Sequence, residues 1–194
     1  MRIRSFIAIN LPREIKEKLA QTIIELKKVN AQVPIKWVNP GIIHLTLHFL
    51  GDLDERELLE VQNILSDLVV KNNTLELEIG DWGGFPNLQN PRIIFIDCRE
   101  IGGKTLVDLQ NEIGKRLKKI GLPTDNRPWQ THITLGRLRT PSPLQITNLN
   151  ELQIKNLLFK VKSIDLMKSE LTPTGPIYTI LKSYPLKPSL SLTL

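Results

Sequence analysis

Apolar positions recur along this chain with two alternating periods, and the switches between them mark strands and helices in turn. Arg4-Ser5-Phe6-Ile7-Ala8-Ile9-Asn10 predicts an opening strand. Pro12 stands at a helix start, and Ile15, Leu19, Ile23 and Leu26 recur at helical spacing over residues 13–29. Pro34 and Asn39-Pro40-Gly41 bracket a short extended piece at Lys36-Trp37-Val38. Residues 42–47 predict the next strand, closed by Gly51-Asp52. Asp54 can cap a helix whose apolar face is Leu58, Val61, Leu65, Leu68 and Val69. Leu75-Glu76-Leu77-Glu78-Ile79 alternates, as a half-buried strand does.

The second half runs in a similar order. Residues 92–97 predict a strand, 103–120 a helix, and 129–138 contain a further strand. Thr140-Pro141-Ser142-Pro143 breaks the chain before a short helix expected over 144–155. Residues 159–167 alternate as one strand, and residues 177–181 supply a last one. The tail, 187–194, is expected to be loosely ordered. The halves thus suggest one βαβ-type unit used twice, although they share little sequence outside two short motifs.

Composition narrows the class. A chain of 194 residues, 41% hydrophobic and 24% charged, suits one globular domain or two small lobes sharing a core. No apolar run approaches the roughly 20 residues needed to cross a bilayer. The basic start is followed by only a brief apolar stretch without a small-residue cleavage site, so it reads as a strand rather than a signal peptide. Cys98, alone in the sequence, cannot form an internal disulfide and reads as a small buried hydrophobe. The expected location is the cytoplasm. A net charge of +6 and a pI near 9.5 favour polyanionic partners. No RNA-recognition or zinc-finger signature accompanies that charge.

The chemistry-bearing pattern is His-x-Thr-Leu, present as His44-Leu45-Thr46-Leu47 and again as His132-Ile133-Thr134-Leu135. Strand side chains alternate between faces, so each histidine shares a face with its threonine while the apolar pair faces the other way. Two such strands side by side would line one groove with two imidazoles and two hydroxyls. Cleaving a phosphodiester needs one group to accept a proton from the attacking oxygen and another to give one to the departing oxygen. Imidazole does either near neutrality. A threonine hydroxyl can donate to a non-bridging phosphate oxygen. A lone His-x-Thr is an ordinary strand triplet; two copies at the same place of a repeated unit are not.

Competing chemistries fit less well. His44 and His48 have zinc-like spacing for a helix, but on a strand they lie about 13 Å apart, and no Glu adjoins the first. No metal ligation is expected, and His48 reads as a surface side chain or a groove-rim contact. Gly102-Gly103-Lys104-Thr105 hints at a phosphate loop but lacks the opening glycine, where Cys98 stands, and reads as a loop entering a helix. Five places beyond each motif histidine come Phe49 and Arg137, side-chain types suited to stacking a nucleobase. Arg139 would share the face of Arg137 if the strand persists, and both could pair with phosphate oxygens.

At these residues, His44 to Gly51 and His132 to Arg139, the chain resembles the two signature segments of the 2H phosphoesterase superfamily. Within it the similarity is to the RNA 2′,3′-cyclic phosphodiesterases, historically called 2′-5′ RNA ligases. It extends to Arg4-Ser5-Phe6-Ile7-Ala8-Ile9, to Trp37-Val38 and to the run from Leu166 to Tyr178. The resemblance implies an α+β, bilobal, pseudo-symmetric fold, with two antiparallel sheets around a central cleft and helices outside. A single domain over 1–194 would then consist of two intertwined lobes, each with one motif. It also implies hydrolysis of RNA 2′,3′-cyclic phosphate ends to 2′-phosphomonoesters without metal or cofactor. His44, Thr46, His132 and Thr134 would be catalytic, with Phe49 and Arg137 touching the nucleotide. Forming a 2′-phosphate breaks the bond to O3′. His132 is assigned the base and His44 the acid, although the pseudo-symmetry leaves the reverse open. Reversal with an RNA 5′-hydroxyl in place of water would give 2′-5′ ligation. The expected partner is RNA with a cyclic phosphate end, with no membrane and no obligate protein partner, so a monomer. Two rivals stand beside this reading: a related enzyme acting on another cyclic phosphate or a 2′-5′ oligonucleotide, and a non-catalytic nucleotide- or RNA-binding module.

Overall fold

The computed structural model describes residues 2–103, 105–125, 127–145 and 154–188. Among them run β1 (Ile3–Asn10), α1 (Arg13–Val29), β2 (Ile35–Trp37), a 3-10 turn (Pro40–Ile42), β3 (His44–Leu53), α2 (Glu55–Val69) and β4 (Leu75–Phe85). There follow β5 (Ile93–Ile101), α3 (Thr105–Lys119), β6 (His132–Leu138), β7 (Leu158–Val161), β8 (Ser163–Thr172) and β9 (Gly175–Pro185). Most of the short helix expected over 144–155, and residues 189–194 of the tail, lie outside the described residues.

The helices form where periodicity and end signals agree. In α1 the buried stripe is Ile15, Leu19, Thr22, Ile23 and Leu26, with Glu14 in the first turn and Lys27 and Lys28 in the last, matching the helix dipole. Asp54 caps α2 as expected: its side chain accepts from the Glu57 amide while the Glu57 carboxylate accepts from the Asp54 amide. The α3 start is closed by Glu100, whose carboxylate accepts from the amides of Thr105 and Leu106 at 3.1 and 2.8 Å. That carboxylate fills the place a phosphate would take above the two glycines.

The strands form one curled sheet in the order β7-β4-β5-β6-β3-β1-β8-β9, with β2 pairing β6. Every ladder between these strands is antiparallel. The βαβ-type expectation therefore gives way: α1 and α2 carry the chain from one half of the sheet to the other, from β1 to β2 and from β3 to β4, instead of returning it to a parallel neighbour. The two halves, β3-β1-β8-β9 and β6-β5-β4-β7, meet where Leu45 of β3 pairs with Ile133 of β6.

Several strand boundaries differ from expectation, among them the last strand, expected over 177–181 and running Gly175–Pro185. The strand over 159–167 is two strands, β7 in one half of the sheet and β8 in the other. The reason is a change of parity: Phe159 and Val161 are buried at odd positions, Ile164 and Leu166 at even ones. β3 runs past Gly51, whose φ of 73° is one that glycine adopts freely, to Leu53. β4 continues beyond Ile79 through Gly80, Gly83 and Gly84, and β5 runs on to Ile101. The glycines of β4 obscured its length in the sequence, yet they are required: a Cβ at Gly83 would overlap the Phe95 ring, and one at Gly80 the Asp97 carboxylate.

One sheet face packs under the helices as the main core, which includes Leu45, Leu47, Ile133 and Leu135. The opposite, concave face carries a small buried cluster, Phe6, Ala8 and Met167, with Tyr178 packed against it. That face holds the histidines.

Candidate active site

β3 and β6 repeat each other in burial as well as sequence. Through their first seven positions both read half-buried, buried, half-buried, buried, buried, exposed, buried. Leu45, Leu47, Ile133 and Leu135 point into the helix-covered core, leaving His44, Thr46, His132 and Thr134 on the concave face. Continuing the Leu45–Ile133 register by one residue each way sets His44 opposite Thr134 and Thr46 opposite His132. The histidines are then diagonal neighbours, about 7–8 Å apart at their backbones.

The odd spacing from each histidine to Phe49 and Arg137 would place them on the wrong face of a regular strand. Matching bulges correct it. β1 pairs Ala8 with Thr46 but Ile7 with His48, leaving Leu47 as an extra residue. β5 pairs Phe95 with Thr134 but Ile94 with Gly136, leaving Leu135 extra. Each bulge turns the next positions by one step, so Phe49, 68% exposed, and the exposed Arg137 emerge on the histidine face. Arg139 does not follow them: β6 ends at Leu138, and the Arg139 carbonyl accepts from Arg92 Nη2 at 3.0 Å.

Both rings are held in the same way. His44 Nδ1 lies 2.8 Å from the Ile42 carbonyl and His132 Nδ1 lies 2.7 Å from the Gln130 carbonyl. A carbonyl only accepts, so each Nδ1 carries the proton and each Nε2 is left for other partners. Two rings flank each imidazole. Phe6 and Tyr178 lie 4.9 and 5.2 Å from His44, while Phe95 and Phe85 lie 5.0 and 5.4 Å from His132, centroid to centroid. Burial among these rings pushes both histidines below their ordinary pKa, and the Arg137 charge pushes both further; Lys16 adds to the effect at His44. Neutral imidazoles with open Nε2 atoms are ready to accept a proton.

His48 is neither at the surface nor at the rim. It is 7% exposed, on the core side of the Leu47 bulge, and its Nε2 donates to the Gln110 carbonyl of α3 at 2.8 Å. Cys98 is buried as expected, and burial raises its thiol pKa, so it stays protonated. A cavity of about 370 Å³ lies behind the sheet, between α3 and Thr124, Asp125 and Arg127 to Trp129; its walls include His48 and Trp129 but neither motif histidine. The aromatic pairs around the histidines went unassigned from sequence. Their roles depend on which strands neighbour β3 and β6, and no local signal gives that.

A concave antiparallel face bearing two His-x-Thr pairs related by pseudo-symmetry defines a phosphoesterase of the two-histidine kind. The profile of the family described as LigT like Phosphoesterase matches the chain twice, over residues 9–95 and 96–178, one match per motif. The chain belongs to this LigT-like phosphoesterase family. Among curated relatives, an RNA 2′,3′-cyclic phosphodiesterase of Methanothermobacter thermautotrophicus is 30% identical over 184 residues, covering 92% of this chain and 96% of its own. One of Archaeoglobus fulgidus is 31% identical over 183 residues, covering 94% and 99%. Among solved structures, TT0787 of Thermus thermophilus superposes with a TM-score of 0.82 at 27% identity, covering 97% of this chain and 100% of its own. LigT of E. coli, with a TM-score of 0.77 at 24% identity and coverages of 96% and 99%, shares the fold. Among the described residues no helix is long and apolar enough to cross a membrane.

Proposed function

We propose that this chain hydrolyses the 2′,3′-cyclic phosphate at the end of an RNA to a 2′-phosphomonoester, using its two histidines and no metal. The observation that carries this reading is the matched pair of imidazoles on one sheet face, each with Nδ1 bound to a carbonyl and Nε2 without a hydrogen bond to any described residue. The relatives named above, about 30% identical over nearly the whole chain, act on the same kind of end by their names.

In the proposed reaction the cyclic phosphate sits between the rings. His132 Nε2 takes a proton from water as the water oxygen bonds to phosphorus. The P–O3′ bond breaks on the opposite side, and O3′ takes a proton from Nε2 of His44, which enters the reaction as imidazolium and leaves it neutral. Lys16 adds a second cation to the surroundings of His44, which favours release of that proton. Thr46 and Thr134 donate to the non-bridging oxygens as charge gathers there. Phe49 stacks on the nucleobase, while Arg137 neutralises phosphate. An RNA 5′-hydroxyl in place of water would yield a 2′-5′ linkage by the same route. The basic net charge fits an RNA partner, and the cytoplasm is the location such a substrate favours.

The test is turnover of a short RNA with a cyclic phosphate end in EDTA, with identification of the product end. Wild type should produce 2′-phosphate at an undiminished rate, and His44→Ala or His132→Ala should each lose on the order of a hundredfold or more. Activity lost in EDTA and restored by a metal, or retained by both variants, overturns the mechanism.

A further inference from the structure

The two bulges that aim Phe49 and Arg137 are alike on the concave face and unlike behind it. At the Leu135 bulge the freed carbonyl accepts from the main-chain amide of Val38 at 2.8 Å. The next residue is Gly136, where a Cβ would lie 2.9 Å from Ile35 Cγ2 and 3.1 Å from the Trp37 ring. In that half, then, β2 presses directly on the bulge. Among the described residues no strand pairs with β3 at the Leu47 bulge on the side away from β1. Its carbonyl accepts from a side chain, Gln110 Nε2 of α3, at 3.4 Å. His48, at the position equivalent to Gly136, reaches back to the Gln110 carbonyl at 2.8 Å. The two residues close a ring of contacts between α3 and β3, and each is 7% exposed. The helix makes room at Gly114, where a Cβ would stand 3.0 Å from His48 Cε1. Trp129 Nε1 donates to the Thr46 carbonyl at 3.2 Å, one residue before the bulge.

We infer that Gln110 is a positioning residue: with His48 it fixes the Leu47 bulge from behind the sheet and so holds Phe49 on the cleft face. This rests on the reading of Phe49 as the nucleobase contact. Gln110 meets no reacting atom. It governs how firmly the base is held, and bond breaking stays with the histidines. Side chains are easier to displace than a strand, so the Phe49 side of the cleft depends on side chains, Gln110 foremost, where the Arg137 side depends on backbone.

A double-mutant cycle on a nucleoside 2′,3′-cyclic phosphate, beside a baseless cyclic phosphodiester such as glycerol 1,2-cyclic phosphate, tests this. Aromatic stacking on a base implies that Phe49→Ala raises KM for the nucleotide by about fivefold or more. Gln110→Met keeps the side-chain length and removes the donor. It should raise the nucleotide KM by about threefold or more, leave kcat within about twofold, and change nothing on the baseless substrate. In the Phe49→Ala background Gln110→Met should add no further loss. Additive losses, or equal losses on both substrates, overturn the inference while leaving the reading of Phe49 intact. No KM rise in Phe49→Ala itself sinks both. Gly114→Ala, which displaces His48 without touching Gln110, should give the same pattern and serves if Gln110→Met does not fold.

Discussion

Leu45 of β3 and Ile133 of β6 face each other across the seam of the sheet, and each has a histidine one residue before it and a threonine one residue after. Both are fully buried beneath the helices. The antiparallel sense of this one pair turns two identical motifs into a pair of groups related by a local two-fold. In the proposed reaction this lets two protons move in opposite directions across one phosphorus. A parallel pairing would set histidine beside histidine on the same side.

The pH dependence follows from the surroundings of the rings. A cyclic phosphodiester does not titrate near neutrality, so the kcat/KM profile belongs to the free enzyme's histidines. Burial and Arg137 lower both from their ordinary value of 6.5, so the acid loses its proton at lower pH than a free histidine would. The kcat/KM optimum should lie on the acid side of pH 6.5. Bound phosphate favours imidazolium and raises these values, so the alkaline limb of kcat should sit at higher pH than that of kcat/KM. Rate measurements across the range decide it; a kcat/KM optimum above neutrality contradicts the account.

The acid and base can be told apart by the leaving atom. A cyclic substrate with sulfur in place of O3′ expels a thiolate, which needs little help from a proton donor. On it His44→Ala should recover most of its lost rate relative to wild type, whereas His132→Ala should stay on the order of a hundredfold slow. Recovery by His132→Ala instead exchanges the two roles.

Arg137 acts on both rings at once. Replacing it with Gln removes a positive charge that lowers the pKa of His44 and of His132, so both should titrate at higher pH than in wild type. Imidazole proton shifts followed by NMR give the answer directly. If only one ring responds, Arg137 does not stand between the two motifs.

Gly83 holds the floor beneath His132. Its missing side chain gives space to Phe95, which packs on the imidazole 5.0 Å away. Gly83→Ala should displace that ring, destabilise the fold by about 1–3 kcal/mol in urea unfolding, and lower kcat more than it changes KM. Wild-type stability with wild-type turnover would mean that Phe95 has no part in placing His132.

Much of this site could be read from residues close together in sequence. The His-x-Thr alternation, the Asp54 cap and the α1 stripe are local patterns, and each matched the structure. What escaped depends on distant partners. The bulges at Leu47 and Leu135 are defined by β1 and β5, so the face taken by Phe49 and Arg137 could not follow from strand period alone. His48 looked exposed because strict alternation puts it beside His44; the extra residue turns it inward to α3. The strand expected over 75–79 stopped short of the glycines of β4, since what requires them, Phe95 and Asp97, sits on another strand.

The unlike supports behind the two bulges also divide the ways this enzyme can diverge. On the Arg137 side, altering the aim of the cleft means moving a strand, and the rest of the sheet resists. On the Phe49 side the support consists of side chains, Gln110 and His48, so under the proposed role of Phe49 its aim can change by exchange of side chains without moving a strand.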